Sequence, residues 1–298
     1  MKKIHLTAIG IFAACISACG GAKTETDLMD SLKAVAVDEK WDPIAPDTAA
    51  MRKKYTVVEI VTNMGIMEVA LFDATPKHRA NFLKLVEKGF YSDLLFHRVK
   101  NEFMIQGGDP ESKKAAKGKS LGQGGPNYNI DAEMLDSLHH YKGALCAARL
   151  GDEQNPQKQS SGSQFYIITG SKFGTTALKN AIKDRAMISF MANPDNLSYQ
   201  LRMQTYKQRN DNVAMQVLLE DLKKEVGPLT DSLYKSMPNR TRQMYATWGG
   251  FPALDKEYTI FGFLLSGYDV LDKIQKVKVD GQDRPVDDVK ILKVRIIK

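Results

Sequence analysis

Cysteine is scarce in this chain of 298 residues: there are three, and Cys15 and Cys19 both fall in the N-terminal segment. Cys146 is left alone in the body, so no structural disulfide is expected there. It sits in Gly143-Ala144-Leu145-Cys146-Ala147-Ala148, a strand-like run of small residues in which a buried hydrophobe is a better reading than a nucleophile. No His or Asp/Glu pair stands at metal-ligand spacing, so neither a metal nor another cofactor is expected. A Lys/Arg-rich block and an RNA-binding signature are also missing. The formal charge of +7 therefore reads as solvated surface, and nucleic acid is not an expected partner. The apolar run over residues 4–18 is too short to span a bilayer as a helix.

What is present is ordinary for a globular protein, with 43% hydrophobic and 26% charged residues and enough length to bury a core. The informative stretch is Phe96-His97-Arg98-Val99-Lys100-Asn101-Glu102-Phe103-Met104-Ile105-Gln106-Gly107-Gly108-Asp109-Pro110. It reads as two short strands joined by a polar turn and stopped by Gly-Gly-Asp-Pro. Arg98 offers a permanent cation with a rigid donor fork, Gln106 both donates and accepts, and Phe103 and Met104 supply a soft apolar wall. Such a set suits a ring-shaped ligand group with a polar neighbour.

Phe-His-Arg-Val followed by Phe-Met-Ile-Gln-Gly-Gly-Asp resembles the signature of the cyclophilins, the peptidyl-prolyl isomerases. Further stretches are similar to the same family. Gly122-Gln123-Gly124-Gly125-Pro126 resembles its glycine-rich turn beside the binding groove; no Lys-Ser/Thr and no helix follow, which excludes a phosphate loop. Residues 142–149 match a strand in which Ala148 and the backbone of Arg149 would line the groove. Ser160-Ser161-Gly162-Ser163-Gln164-Phe165-Tyr166-Ile167 resembles the second signature, with Gln164 as a groove residue and Phe165 as a wall of the proline pocket. Leu254 and Tyr258 fall where the family completes that pocket, Ala253 where an aromatic is common and Tyr258 where His is common. The resemblance covers about 55–170 and 249–298. It implies a mainly β fold with helices: a closed antiparallel eight-stranded barrel capped by two helices.

The chain in order supports this division. Residues 1–18 read as an export signal, with Met1-Lys2-Lys3 as its positive region. Ile16-Ser17-Ala18-Cys19 resembles a bacterial lipobox, implying cleavage before Cys19, acylation there and a lipid-anchored protein of the bacterial cell envelope. Residues 19–54 read as a tether and 55–298 as the isomerase domain. Strands over 55–61 and 66–72 form a hairpin, and Thr75-Pro76 opens a helix with Thr75 as N-cap and Gly89 as stop. Residues 176–247 interrupt the family pattern with a helical subdomain. Helix-prone segments lie at 178–190, 198–210 and 213–226, with Pro194, Gly227-Pro228 and Pro238 as punctuation and Phe190, Met203, Tyr206 and Met215 as a small core.

The resemblance implies isomerisation of X-Pro bonds in proline-containing polypeptides. Arg98 would be catalytic, with Phe103, Met104, Gln106, Gly122, Ala148, Arg149, Gln164, Phe165, Leu254 and Tyr258 binding substrate. His97 invites a general-base reading, but no proton needs to move, so a structural role is expected. The alternative is a binding module whose groove and helical insertion hold client proteins, with isomerisation incidental.

Overall fold

The computed structural model describes residues 48–297. In chain order its helices are α1 (Thr48–Lys54), α2 (Pro76–Glu87), α3 (Thr175–Ala192), α4 (Leu197–Gln208), α5 (Asn212–Ser236), α6 (Asn239–Thr247) and α7 (Tyr268–Ile274). Its strands are β1 (Thr56–Thr62), β2 (Gly65–Leu71), β3 (Leu94–Leu95), β4 (Arg98–Lys100), β5 (Met104–Gly107), β6 (Asn129–Ile130), β7 (Ala144–Ala147), β8 (Ser160–Ser161), β9 (Phe165–Ile168), β10 (Ile260–Ser266) and β11 (Lys290–Ile296). The expected signal, Cys19 and most of the tether lie outside the described residues.

A nine-stranded antiparallel sheet runs β3-β11-β1-β2-β10-β7-β9-β5-β4, and β6 pairs separately with β8. The expectation of a closed eight-stranded barrel needs correcting: the sheet curls into a half-barrel whose edge strands, β3 and β4, do not pair. Its two edges are consecutive in the chain, however, and only Phe96-His97 separates them. Phe96 N–H donates to Val289 at 2.9 Å and Val99 N–H to Asp283 at 2.8 Å. Backbone groups that lack a strand partner thus find one in the segment leading to β11.

Both faces of the sheet are buried, so side chains alternate between two cores. Val58, Ile60, Val69, Ile105, Leu145, Phe165 and Ile167 join Phe82 and Val86 of α2 and Leu271 and Ile274 of α7. Val57, Ala70, Met104, Cys146, Tyr166 and Phe263 point the other way, beside Met51 of α1. Phe103, Ala148, Leu254 and Tyr258 pack on this second core while remaining half-buried. That rim is where the candidate site lies.

The stretch 175–247 holds four helices, α3 to α6, where three helix-prone segments were expected. Its packing also differs from expectation. Leu178, Ile182, Met237 and Tyr245 form its core against Tyr141 and Phe173, and Leu218, Leu222, Val226 and Thr230 make a buried stripe on α5. Phe190, Met203, Tyr206 and Met215 are only half-buried. Pro228 does not stop α5: the stripe repeats every four residues straight through it, and burial of that face outweighs the lost hydrogen bond.

Candidate active site

Arg98 opens β4 and lies opposite Gln106 of β5 in the antiparallel register. Between them the chain turns tightly, with Glu102 at a φ of +58° and Phe103 N–H donating to Lys100 at 3.1 Å. The turn brings the Phe103 ring back toward Arg98, whose guanidinium carbon lies 6.0 Å from the ring centroid. Arg98 Nε is 3.4 Å from Asp283 Oδ2, and the side chain is 40% exposed, so the fork keeps donors to offer. In front of it is a cavity of about 100 Å³ walled by Phe103, Met104, Ala148, Tyr166, Leu254 and Tyr258, with Arg98, Gln106 and Arg149 as its polar members. Phe251 backs the Phe103 ring at 4.3 Å between centroids.

A line of amides orients Gln106. Gln164 Nε2 donates to the carbonyls of Gly122 and Gly124 at 2.9 and 2.7 Å, which turns its Oε1 toward Gln106. Gln106 Nε2 donates to that oxygen at 2.9 Å. The Gln106 carbonyl oxygen is thereby aimed as an acceptor, suited to an N–H of an extended peptide. Gln164 accordingly acts behind the groove as well as at it. Gly122, at a φ of +103°, donates its N–H to the buried Asp109 carboxylate, and Asp109 also accepts from Glu111 N–H at 2.8 Å. Gly122, Gln164, Ala148 and Gln106 also line a wider adjoining cavity of about 510 Å³.

Arg149 enters with its side chain as well as its backbone. The guanidinium stacks on Tyr258 at 4.5 Å, Nε donates to the Glu257 carbonyl at 2.9 Å, and the Asp152 and Glu257 carboxylates hold its remaining nitrogens. So pinned, it is a rigid wall beside Tyr258 and not a second mobile cation.

Phe165 is not a wall. It lies in the first core, edge-on to Phe82, Tyr91 and Phe96. Tyr166, the next residue of β9, faces the cavity. A strand sends neighbours to opposite faces, so the reading was out by one residue, and the missed residue is Tyr166. The pairing Gln106↔Tyr166 and Gly107↔Phe165 carries this signal, since Tyr166 shares the face of Gln106. His97 is buried with no partner for either ring nitrogen among the described residues. Burial pushes its pKa down to about 4, with Asp109 pulling up and Arg98 pushing down further.

The chain matches the family profile for cyclophilin type peptidyl-prolyl cis-trans isomerase/CLD over residues 57–177 and 173–296. A protein of Staphylococcus haemolyticus named as a peptidyl-prolyl cis-trans isomerase is 31% identical over 78% of this chain and 87% of its own length. The chain belongs to the cyclophilin family of peptidyl-prolyl isomerases. A protein of Streptococcus pyogenes named as a bifunctional phosphatase/peptidyl-prolyl cis-trans isomerase is also 31% identical over 80% of this chain, which spans only 38% of that longer protein. Among solved structures, a cyclophilin-type isomerase of Cryptosporidium parvum is 22% identical, with a TM-score of 0.48 over 82% of this chain and 98% of its own. Membership makes the chain one of a family of isomerases of proline peptide bonds.

Proposed function

We propose that this cyclophilin assists the folding of exported proteins by rotating their X-Pro bonds, with Arg98 as the catalytic residue. An X-Pro bond turns slowly because rotation breaks amide resonance at a cost of roughly 18–20 kcal/mol. As the amide twists, the prolyl nitrogen regains a lone pair that the planar form had delocalised. A cation donating to that nitrogen binds the twisted form better than either planar one, and such differential binding lowers the barrier. Phe103, Met104, Tyr166 and Leu254 would grip the ring, Gln106 and the Arg149 backbone would hold the flanking chain, and the carbonyl before proline would sweep round.

The observation that carries this reading is a half-exposed guanidinium at the mouth of an apolar hollow. The test is a proline-peptide isomerisation assay on Arg98→Ala. Activity should drop by about a hundredfold, the scale on which one oriented donor acts on developing charge, with the circular dichroism spectrum unchanged. Turnover near that of the wild type would refute the assignment.

The same reading takes residues 1–18 as a signal, Cys19 as the acylated residue and 19–54 as the tether of an envelope-anchored enzyme, and takes 176–247 as an insertion into the isomerase domain that offers clients an apolar face. Exposed Leu197, Leu201, Val213 and Val217 support that last point. Among the described residues no helix is long and apolar enough to cross a membrane. Acyl-chain labelling of the protein, lost in Cys19→Ala, tests the anchor.

A further inference from the structure

Asp255 follows the cavity residue Leu254 and is 1% exposed. Its Oδ1 accepts from His140 N–H at 2.8 Å and faces His140 Nδ1 at 3.1 Å, while Oδ2 faces His139 Nδ1 at 2.9 Å. The Tyr245 hydroxyl reaches both oxygens, at 2.8 and 2.7 Å. Burial alone would raise the carboxyl pKa, but the hydrogen bonds from both histidines hold it below the usual range. A carboxylate only accepts, so His140 Nδ1 carries a proton and donates to Asp255, which leaves Nε2 turned to the other side of the ring. Against that nitrogen, at 3.3 Å, lies the Tyr166 hydroxyl, whose ring walls the cavity. The His140 and Tyr166 rings are within 10° of parallel.

Tyr245 is foreign to this neighbourhood. It belongs to α6, the last helix of the insertion, and is completely buried between Tyr141 and Phe173. His139 Nε2 lies 3.4 Å from Thr241 of the same helix. Buried carboxylates need donors, so a purely structural hydrogen bond is the plainer account. Two features go beyond it. The bonded line ends on two walls of the cavity, Tyr166 through His140 and Leu254 through the main chain. The histidine donors would also still satisfy Asp255 if Tyr245 lost its hydroxyl.

We propose that Tyr245 is a positioning residue for the isomerase site: the inserted helices set the Asp255–His140–Tyr166 line and through it the wall against which the proline ring rests. This rests on the isomerase reading of the Arg98 cavity. The test uses the full chain and an Ala-Pro-containing peptide, measuring kcat, KM and thermal melting together. Tyr245→Phe should melt cooperatively yet lose about tenfold in kcat/KM, and Tyr166→Phe should match it. The double variant should lose no more than either alone, because residues acting through one line are not additive. Leu218→Ala, buried in the insertion but away from the line, should lower the melting temperature and leave kcat/KM unchanged.

An unchanged kcat/KM in Tyr245→Phe overturns the proposal, as does an equal loss in Leu218→Ala or additive losses in the double variant. Should Tyr245→Phe fail to fold, Tyr166→Phe decides, and full activity there overturns the proposal. An inactive wild type overturns the isomerase reading and this proposal with it, whereas an active wild type with an indifferent Tyr245 overturns only the latter.

Discussion

His97 stands next to the proposed catalytic cation, yet burial leaves its imidazole neutral, with a pKa pushed down to about 4. In the unfolded chain the same ring titrates near 6.5. Above about 6.5 both states carry neutral imidazole and the ring makes stability no worse. As pH falls from there toward 4, the unfolded chain takes up a proton that the folded one refuses. Stability is therefore present at neutral pH and lost in acid, by on the order of 3 kcal/mol. The urea midpoint of the wild type should fall between pH 7.5 and 4.5, and His97→Leu should flatten that fall; parallel profiles would contradict it. At the same scale, Phe165 and Tyr166 are adjacent but serve different faces. Phe165→Leu should lower the melting temperature with KM unchanged, whereas Tyr166→Ala should raise KM. Arg98, Phe103 and Gln106 were legible because their chemistry and strand spacing agree within a few residues. Assigning the wall in β9 needed the register, and a slip of one residue exchanges a pocket wall for a core side chain.

Elements show the same division between local signals and distant partners. The Thr75-Pro76 start of α2 was visible in the sequence, but Thr75 makes no side-chain cap. The Glu133 carboxylate takes that place, accepting from the backbone N–H groups of Lys77 and His78, each at 3.0 Å. A carboxylate at a helix N-terminus also meets the favourable end of its dipole. No local pattern links residue 133 to residue 76, so the cap could not be read in advance. In α5 the stripe from Leu218 to Thr230 overrides Gly227-Pro228, two residues that ordinarily end a helix. Apart from its chain neighbours, Pro228 among them, and the backbone of its own helix, a Cβ added at Gly227 meets nothing within 4 Å, and the residue has a negative φ. Gly227→Ala should therefore stabilise the protein by roughly 0.5–1 kcal/mol, chiefly by restricting the unfolded chain. A lower denaturation midpoint would show that the helix needs glycine there to accommodate Pro228.

At the scale of the whole molecule the helical stretch 175–247 is tied in unevenly. Its near end is sewn to the half-barrel by Leu178, Ile182, Met237 and Tyr245 packing on Tyr141 and Phe173, by Phe173 N–H donating to Tyr245 at 2.9 Å, and by the Tyr245–Asp255 contact. At the far end α4 has no fully buried residue, and Leu197 and Leu201 are more than half exposed. Burial of apolar area is what makes a helix contribute to stability, so the two ends should respond differently to removal. Replacing residues 194–211 with a short Gly-Ser linker should leave kcat/KM unchanged and shift the melting temperature little. Removing 176–247 takes away one donor on Asp255, the Tyr245 hydroxyl, and uncovers the Tyr141 face, so both melting temperature and kcat/KM should fall. Equal activity in the two deletions would mean that the half-barrel shapes its proline cavity without help. A loss already present in the short deletion would mean that α4 reaches the substrate, through the apolar face it leaves open to solvent.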